Sequence, residues 1–401
     1  MNIGLFSSNL APGGAERLVA EEASYLSDQG CETSVIVPEY DEDYVSEMFG
    51  TDSVSVIDYR ELGSPPDSRG FLTRLNNTRR AVSRLDLDFA ISHAYERELY
   101  LVNRIWGGPA YACQVNGSPF WFQNDAHVRP HRRKDEFKEL LDSVPGHSEF
   151  REKNNIGLKR RLKGEVGEYL TRIALQHSEA VFVLSQQVAR EIEALYNIEP
   201  DVVRAGVSKS WLNSQHKIPR RQLSEKRYTI LSVSRLDSRK RIDLLIRSFV
   251  KLRNERSDVG LAIAGTGPEE EYLRRTIEKE DRMKTGVKFY GYVSDKELPS
   301  YYKSADVFAC PGWMSYGLTP LEAYGLGTKV AISSDTFAME ILRGEPGVVI
   351  SEPDVDEWAN KLSSLIDKSD VDINRKVIPT WEGFHNHRYE ILSERGIINI
   401  Q

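Results

Sequence analysis

A chain of 401 residues with 40% hydrophobic content is long enough for two domains, each with a core of its own. Its net charge of −7 weighs against general nucleic-acid binding, which neutralises phosphates with Lys and Arg, while leaving room for a local basic face. Three scattered cysteines, Cys31, Cys113 and Cys310, form no CxxC pair and read as buried fillers in a reducing compartment rather than as a disulfide or zinc framework. No apolar run approaches the ~18 residues of a membrane span. Met1 to Phe6 runs straight into a strand pattern with no secretory signal, so the expected location is cytoplasmic, free or peripheral on the inner face of the cell membrane.

In chain order, Ile3 to Phe6 predicts a strand, Asn9 to Gly14 a loop, and Ala15 to Ser27 a helix with Val19, Ala23 and Leu26 on its apolar side. Gly30 ends it and Ser34 to Val37 is the next strand. Phe89 to Ile91 and Val181 to Leu184 are further strands, the second followed by a helix starting near Ser185. Residues 200–227 show no clear period and read as an interdomain connection. The pattern then restarts with a strand at Thr229 to Val233 and a helix carrying Ile242, Leu245, Ile246 and Phe249 at i, i+3, i+4 and i+7. Strands at Leu261–Ala264, Val287–Tyr290, Val307–Ala309 and Val330–Ile332 follow, and Trp381 to Arg395 reads as a closing helix. Strands alternating with helices predict parallel sheets, and two such blocks give two doubly wound α/β domains. Ligands of such sheets bind beyond the carboxyl ends of the strands, so two domains facing across a cleft bring those ends together.

Three motifs carry chemistry. Ser232-Val233-Ser234-Arg235-Leu236-Asp237-Ser238-Arg239-Lys240-Arg241 joins a strand to an amphipathic helix. Free N–H groups at a helix start suit a phosphate, and Arg235 and Lys240 add two positive charges that could hold a leaving diphosphate in place of magnesium. A solvated basic loop capped by Asp237 or Ser238 fits the same residues. Pro12-Gly13-Gly14-Ala15-Glu16-Arg17 lets backbone approach a ligand closely, but lacks GxGxxG spacing and also fits a turn made for packing. In Gly317-Leu318-Thr319-Pro320-Leu321-Glu322-Ala323, Pro320 suits the first turn of a helix and Glu322 falls early in it. Glu322 is then either a simple cap or a carboxylate that bonds ribose hydroxyls.

The order of Gly-Gly-Ala-Glu-Arg, Ser-Arg-Leu-Asp-Ser-Arg-Lys-Arg, Ala-Gly-Thr-Gly-Pro and Tyr-Gly-Leu-Thr-Pro-Leu-Glu-Ala resembles retaining glycosyltransferases of the GT-B fold, family GT4. Tyr290 to Asp295 and Ala305 to Val307 also match that family's spacing, and the likeness is strongest from about 228 to 345. It implies two Rossmann-like domains facing across a cleft. Residues 1–215 would be the acceptor domain, completed by a helix at 380–401, and 216–379 the nucleotide-sugar donor domain. It implies that Arg235 and Lys240 grip the donor diphosphate and that Glu322 holds the ribose. Gly13 and Gly14 approach the phosphates, with Glu16, Arg17 and His93 on the acceptor side. The stretch around Gly291 and Tyr292 would contact the base through backbone, with Gly265 also in the donor site. Met314, Tyr316, Gly317, Leu318 and Thr319 complete the donor site. The donor is UDP- or GDP-linked, and no metal or further cofactor is implied. The acceptor it implies is a glycan or a lipid-linked acceptor.

Two departures stand out. The family's first glutamate, spaced from Glu322 by seven residues, falls at Met314, whose thioether is a weak acceptor for sugar hydroxyls. The histidine that relatives carry ahead of a Pro-aromatic pair falls at Asn116, within Gln114 to Trp121, and an asparagine cannot titrate near neutral pH. His93, at an earlier strand end, is an alternative. These changes fit an unusual donor sugar, deoxy or N-acetylated, or else a non-catalytic nucleotide-sugar-binding subunit of a glycan assembly complex. Asp86-Leu87-Asp88 spells a metal-binding DxD but reads as a turn before a strand, and Gly265-Thr266-Gly267 as a strand-end turn. Arg129 through Lys163, with Trp121, Phe122 and Phe150 nearby, reads as a basic aromatic face for an anionic membrane surface.

Overall fold

The computed structural model describes residues 1–49, 54–64, 70–119, 158–280, 286–369 and 371–398. The chain divides into two compact units, Met1–Arg204 with Gly383–Gln401, and Ala205–Glu382. The division falls at 204/205, earlier than the expected 215/216, for a reason visible in the backbone. β7 (Asp201–Val202) pairs in parallel with β6 (Ala180–Val183) and belongs to the first sheet. Just beyond it, Val207 bridges Thr380 and donates its N–H to the Pro379 carbonyl at 2.9 Å, which ties the next residues to the second unit.

The first unit is a seven-stranded parallel sheet. Its other strands are β1 (Asn2–Ser7), β2 (Glu32–Val37), β3 (Val54–Asp58), β4 (Phe89–His93) and β5 (Ala110–Val115), in the order β3-β2-β1-β4-β5-β6-β7. Side chains of β1 are buried at successive positions, as helices on both faces of a parallel sheet require. The helix Gly14–Asp28 buries Leu18, Val19, Ala23 and Leu26, and with them the charged Glu22. Asp86 caps the helix Phe71–Leu85 in a left-handed conformation, and the Asp88 carboxylate accepts the Asn2 N–H at 2.8 Å. Both aspartates of the DxD thus serve the turn that the sequence suggested.

The second unit repeats the plan with six parallel strands: β8 (Tyr228–Val233), β9 (Val259–Ala264), β10 (Val287–Gly291), β11 (Val307–Cys310), β12 (Lys329–Ser333) and β13 (Val348–Ser351), in the order β10-β9-β8-β11-β12-β13. The helix Ile242–Glu255 buries Ile242, Leu245, Ile246, Phe249 and Leu252. Each such side chain contributes about 1.5–3 kcal/mol. They pack with Trp358 and Leu362 of the helix Val355–Asp367 in one apolar core.

Both sheets change winding direction beside their first strand, between β1 and β4 in one unit and between β8 and β11 in the other. A crevice forms there beyond the carboxyl ends, because the flanking connections leave to opposite faces. The last helix, Trp381–Glu394, starts in the second unit and continues into the first from Gly383 onward. Among the described residues no helix is long and apolar enough to cross a membrane. Of the basic stretch from Arg129 to Lys163, residues 129–157 lie outside the described residues, as do Trp121, Phe122 and Phe150. Residues 158–163 begin the helix Leu158–Gln176.

Candidate active site

In the second unit the loop after β8 occupies the switch point. Its residues Ser238–Lys240 form one tight turn, capped by Asp237, whose carboxylate accepts the Arg239 N–H at 3.1 Å. The four cations of the motif then separate. Arg239 folds back on Asp237 at 3.0 Å, and the buried Arg241 pairs with the buried Asp335. Arg235 is exposed and Lys240 half-buried, and among the described residues neither forms a salt bridge. Burial lowers the Lys240 ammonium below the usual lysine range, against the pull of Cys310 and Asp237.

Close backbone packing fixes this loop. Gly265 ends β9 at φ +127°, and a Cβ there would lie 1.9 Å from the Ser234 carbonyl oxygen. Gly312 follows β11, and a Cβ there would lie 2.4 Å from the Lys240 Cα. Any side chain at either position pushes the cationic loop off the sheet end. Gly265 also donates its N–H to the Gly291 carbonyl at 2.6 Å, so the β10 end and the exposed Tyr292 adjoin the same edge.

The stretch after β11 runs past Lys240 to the third motif. Met314 is half-buried, its backbone bridged to Thr336, with the Cys310 thiol 3.8 Å from its sulfur. Phe337 donates its N–H to the Met314 carbonyl at 3.1 Å. The buried Tyr316 donates its hydroxyl to the Ala205 carbonyl, and Gly317 precedes the helix Leu318–Gly325. Leu318 and Thr319 open that helix, with Pro320 in its first turn as expected. Glu322 sits in the second turn, so the helix start does not favour its charge as the sequence suggested. Instead its buried carboxylate accepts the Tyr302 hydroxyl at 2.7 Å. Arg241, Asp335 and Gly312 escaped the sequence reading. The Pro-Gly pair after β11 was the available signal for the last.

The first unit's switch point is built from different material. Gly13 and Gly14 start the helix Gly14–Asp28 after β1, and the Glu16 carboxylate occupies the space a Cβ at Gly13 would need. Arg17 is buried with its guanidinium 3.6 Å from Glu21. His93 closes β4 and Asn116 follows β5. The Asn116 amide Nδ2 lies 3.4 Å from His93 Nδ1. His93 Nε2 meets the Glu22 carboxylate at 2.9 Å, and both side chains are buried. Glu22 also accepts the Tyr389 hydroxyl at 2.8 Å and pairs with Arg388 at 3.1 Å. Arg388 in turn donates to Gln114 at 2.8 Å. Burial raises the Glu22 carboxyl, but Arg388 and the His93 bond prevail and hold it at about 2. Burial lowers His93 against the pull of Glu22, which favours the neutral ring. Glu22 and Arg388 carried a sequence signal that went unread: each is a charge at an apolar-face position of its helix.

Comparison with known proteins agrees with this architecture. Residues 12–210 match the family model described as Glycosyltransferase Family 4, and residues 214–378 match that described as Glycosyl transferases group 1. The chain belongs to glycosyltransferase family 4. The chain is 33% identical over 149 residues to a Mycolicibacterium smegmatis GDP-mannose-dependent alpha-(1-6)-phosphatidylinositol monomannoside mannosyltransferase, a stretch covering 35% of this chain and 39% of that one. The chain spans about half the length of other curated relatives it matches. A glycosyltransferase from Rickettsia africae ESF-5 superposes at a TM-score of 0.68, with 16% identity and 99% of both chains covered. The Anabaena protein HepE, in complex with UDP and glucose, superposes at 0.63 with 16% identity, covering 98% of this chain and all of that one. These likenesses show the GT-B fold.

Proposed function

We propose that the chain moves a sugar from a UDP- or GDP-linked donor, with retention of configuration and without a metal ion, to a glycan or lipid-linked acceptor. The observation that carries this reading is the sorting of cations at the second switch point. Two are neutralised internally, whereas among the described residues Arg235 and Lys240 form no salt bridge and lie beside a glycine-packed sheet end. A diphosphate supplies the charge that complements them. As the sugar–phosphate bond breaks, negative charge grows on that diphosphate, and fixed cations in a partly dry site stabilise it more than bulk water does. The acceptor hydroxyl then attacks from the face the diphosphate leaves, with rate coming mainly from positioning.

The names of the relatives support both base choices, one protein depending on GDP-mannose and another holding UDP and glucose. Glu322 is the residue for ribose, with Tyr302 orienting its carboxylate. Met314 beside the Cys310 thiol presents soft, apolar sulfur to the donor sugar, which favours a deoxy or N-acetylated ring. Action at a cytoplasmic, anionic membrane surface is the companion proposal, supported by the basic and aromatic residues of 121–163 in the sequence.

A thermal-shift panel with UDP, GDP, ADP and their sugar conjugates, with and without EDTA, tests the donor site. A ligand at ~100 times its Kd stabilises by about 2.7 kcal/mol. One nucleotide is expected to shift the protein, and to do so equally in EDTA. Lys240→Ala is expected to lower transfer by roughly 10²–10³-fold with the fold intact. Near wild-type transfer in that variant overturns the mechanism. Nucleotide binding without transfer in the wild type, with hydrolysis appearing in Met314→Glu, identifies a non-catalytic nucleotide-sugar-binding subunit instead.

A further inference from the structure

The first unit has a cavity of about 800 Å³ lined by the helix Phe71–Leu85 and by the end of the helix Glu96–Trp106. Asp86 and Leu87 lead from its wall into the amino end of β4, and Gly107 to Pro109 lead into that of β5. His93 and Asn116 stand at the opposite, carboxyl ends of those strands. Buried Leu62 and Val102 give the cavity an apolar lining, and Trp106, 46% exposed, stands beside them.

Both walls are fixed by bonds to backbone. Arg80 donates to the Leu62 carbonyl at 2.8 Å and Arg84 to the Glu61 carbonyl at 2.9 Å. Across the cavity the Asn103 amide donates to the Gly108 and Pro109 carbonyls at 3.0 and 3.1 Å, and Gly107 turns the chain at φ +68° directly after Trp106. A carbonyl takes up a donor without neutralising its charge. Arg79, Arg80, Arg84, Glu61 and Asp86 all line the cavity and are exposed, and among the described residues none of them forms a salt bridge. Glu61 accepts the Asp58 N–H at 3.3 Å through one carboxylate oxygen, and the Arg79 guanidinium lies over the Trp106 ring at 5.3 Å.

The mixture of signs decides the ligand. Arginines on the walls oppose a cation, and carboxylates among them weaken the hold on an anion. A neutral polyhydroxyl compound needs donors and acceptors side by side, because each hydroxyl both gives and takes hydrogen bonds. An exposed indole offers a flat apolar surface to the C–H face of a pyranose, while its polar edge stays in water. The cavity volume falls within the roughly 300–1,000 Å³ of small-ligand sites.

We propose that this cavity is a saccharide-binding site separate from the candidate active site. A neutral oligosaccharide lays one ring on Trp106, takes hydrogen bonds from Arg79 and Arg84, and gives them to Glu61 and Asp86. The site needs no nucleotide and makes no bond, so it stands whether or not the chain transfers sugar.

Titration of ¹⁵N-labelled protein with mannotetraose, maltotetraose and chitotetraose tests it without any substitution. At least one of the three is expected to move the Trp106 indole N–H resonance and to bind in calorimetry. Trp106→Ala is expected to weaken that binding by at least about tenfold, and Trp106→Phe, which keeps a ring, to retain most of it. Arg79→Met, which removes donors, is expected to weaken it by about 2–10-fold. If none of the three saccharides moves the indole resonance, the proposal is overturned. It also falls if binding persists in Trp106→Ala, since the saccharide is then held elsewhere. Binding of inorganic pyrophosphate that depends on Arg79, with no saccharide bound, makes the cavity an anion site and overturns the proposal too. The nucleotide-induced thermal shift is expected to be the same in Trp106→Ala as in wild type, so failure here leaves the donor-site reading standing.

Discussion

The two switch points use charge in opposite ways. In the first unit the charged side chains at the strand ends are turned inward, with Glu22 surrounded by His93, Arg388 and Tyr389 and all of them buried. In the second, the loop itself is held by backbone against Gly265 and Gly312, and among the described residues Arg235 and Lys240 form no salt bridge. A site made from internal pairs is rigid and electrostatically quiet, so it suits orientation of a neutral group such as a sugar. A site made from backbone fit with unpaired cations suits an anion. The same doubly wound sheet thus carries two charge arrangements at its switch points, according to where its charges find partners.

Three perturbations sharpen this contrast. The largest expected effect is in the first unit, where Arg388→Met leaves Glu22 buried without its cation and is expected to cost about 3–5 kcal/mol. Urea unfolding with hydrogen exchange should show the loss of protection centred on β1, β4 and β5; an unchanged exchange pattern there would mean the pair is not holding the sheet ends. In the second unit Gly265→Ala is expected to cost roughly 3 kcal/mol, from a Cβ against the Ser234 carbonyl and a φ that only glycine adopts readily. It should also abolish the nucleotide-induced thermal shift, and retention of that shift would show the loop tolerating displacement. The smallest effect is pH-dependent. His385 is lowered by burial from 6.5 to about 4, so the unfolded chain takes up a proton first as pH falls. The sign is therefore destabilising below pH 6.5, at about 1.4 kcal/mol per pH unit until the folded group titrates near 4. His93, lowered in the same direction, adds to this slope. Glu22, held at about 2, removes stability only below its usual 4.5. Melting curves of His385→Phe between pH 7 and 4 should show a flatter acid limb, and an identical limb would place the charge uptake elsewhere.

The sequence made the second unit more legible than the first. Its helix at Ile242 shows apolar residues at i, i+3, i+4 and i+7, and its strands at 229, 261 and 307 are short apolar runs closed by polar or glycine residues. Strands β3, β5, β7 and β13 went unread. Val54–Asp58 is a short mixed run, β5 carries Gln114, β7 has two residues, and β13 is a four-residue segment too short to tell from part of a buried helix. The cations Arg235 and Lys240 were legible as a pair, but that Arg239 and Arg241 would be neutralised depends on Asp335, distant in sequence. The Glu22 cluster was the least legible part. Its members are separated by up to 367 positions, and a buried arginine carries no period of its own. Only the oddity of a charge on an apolar helix face marked it.

The Glu22–Arg388 pair also orders events during synthesis. At about 5–20 residues per second, a ribosome needs tens of seconds between these two residues. Throughout that interval β1, β2 and β4 can assemble, but the carboxylate at their ends has no guanidinium to meet. The first unit is therefore completed only after the second has been synthesised, because its two segments flank the second in the chain. Until the helix at Trp381–Glu394 is released, the buried place of Glu22 lacks the guanidinium that balances it.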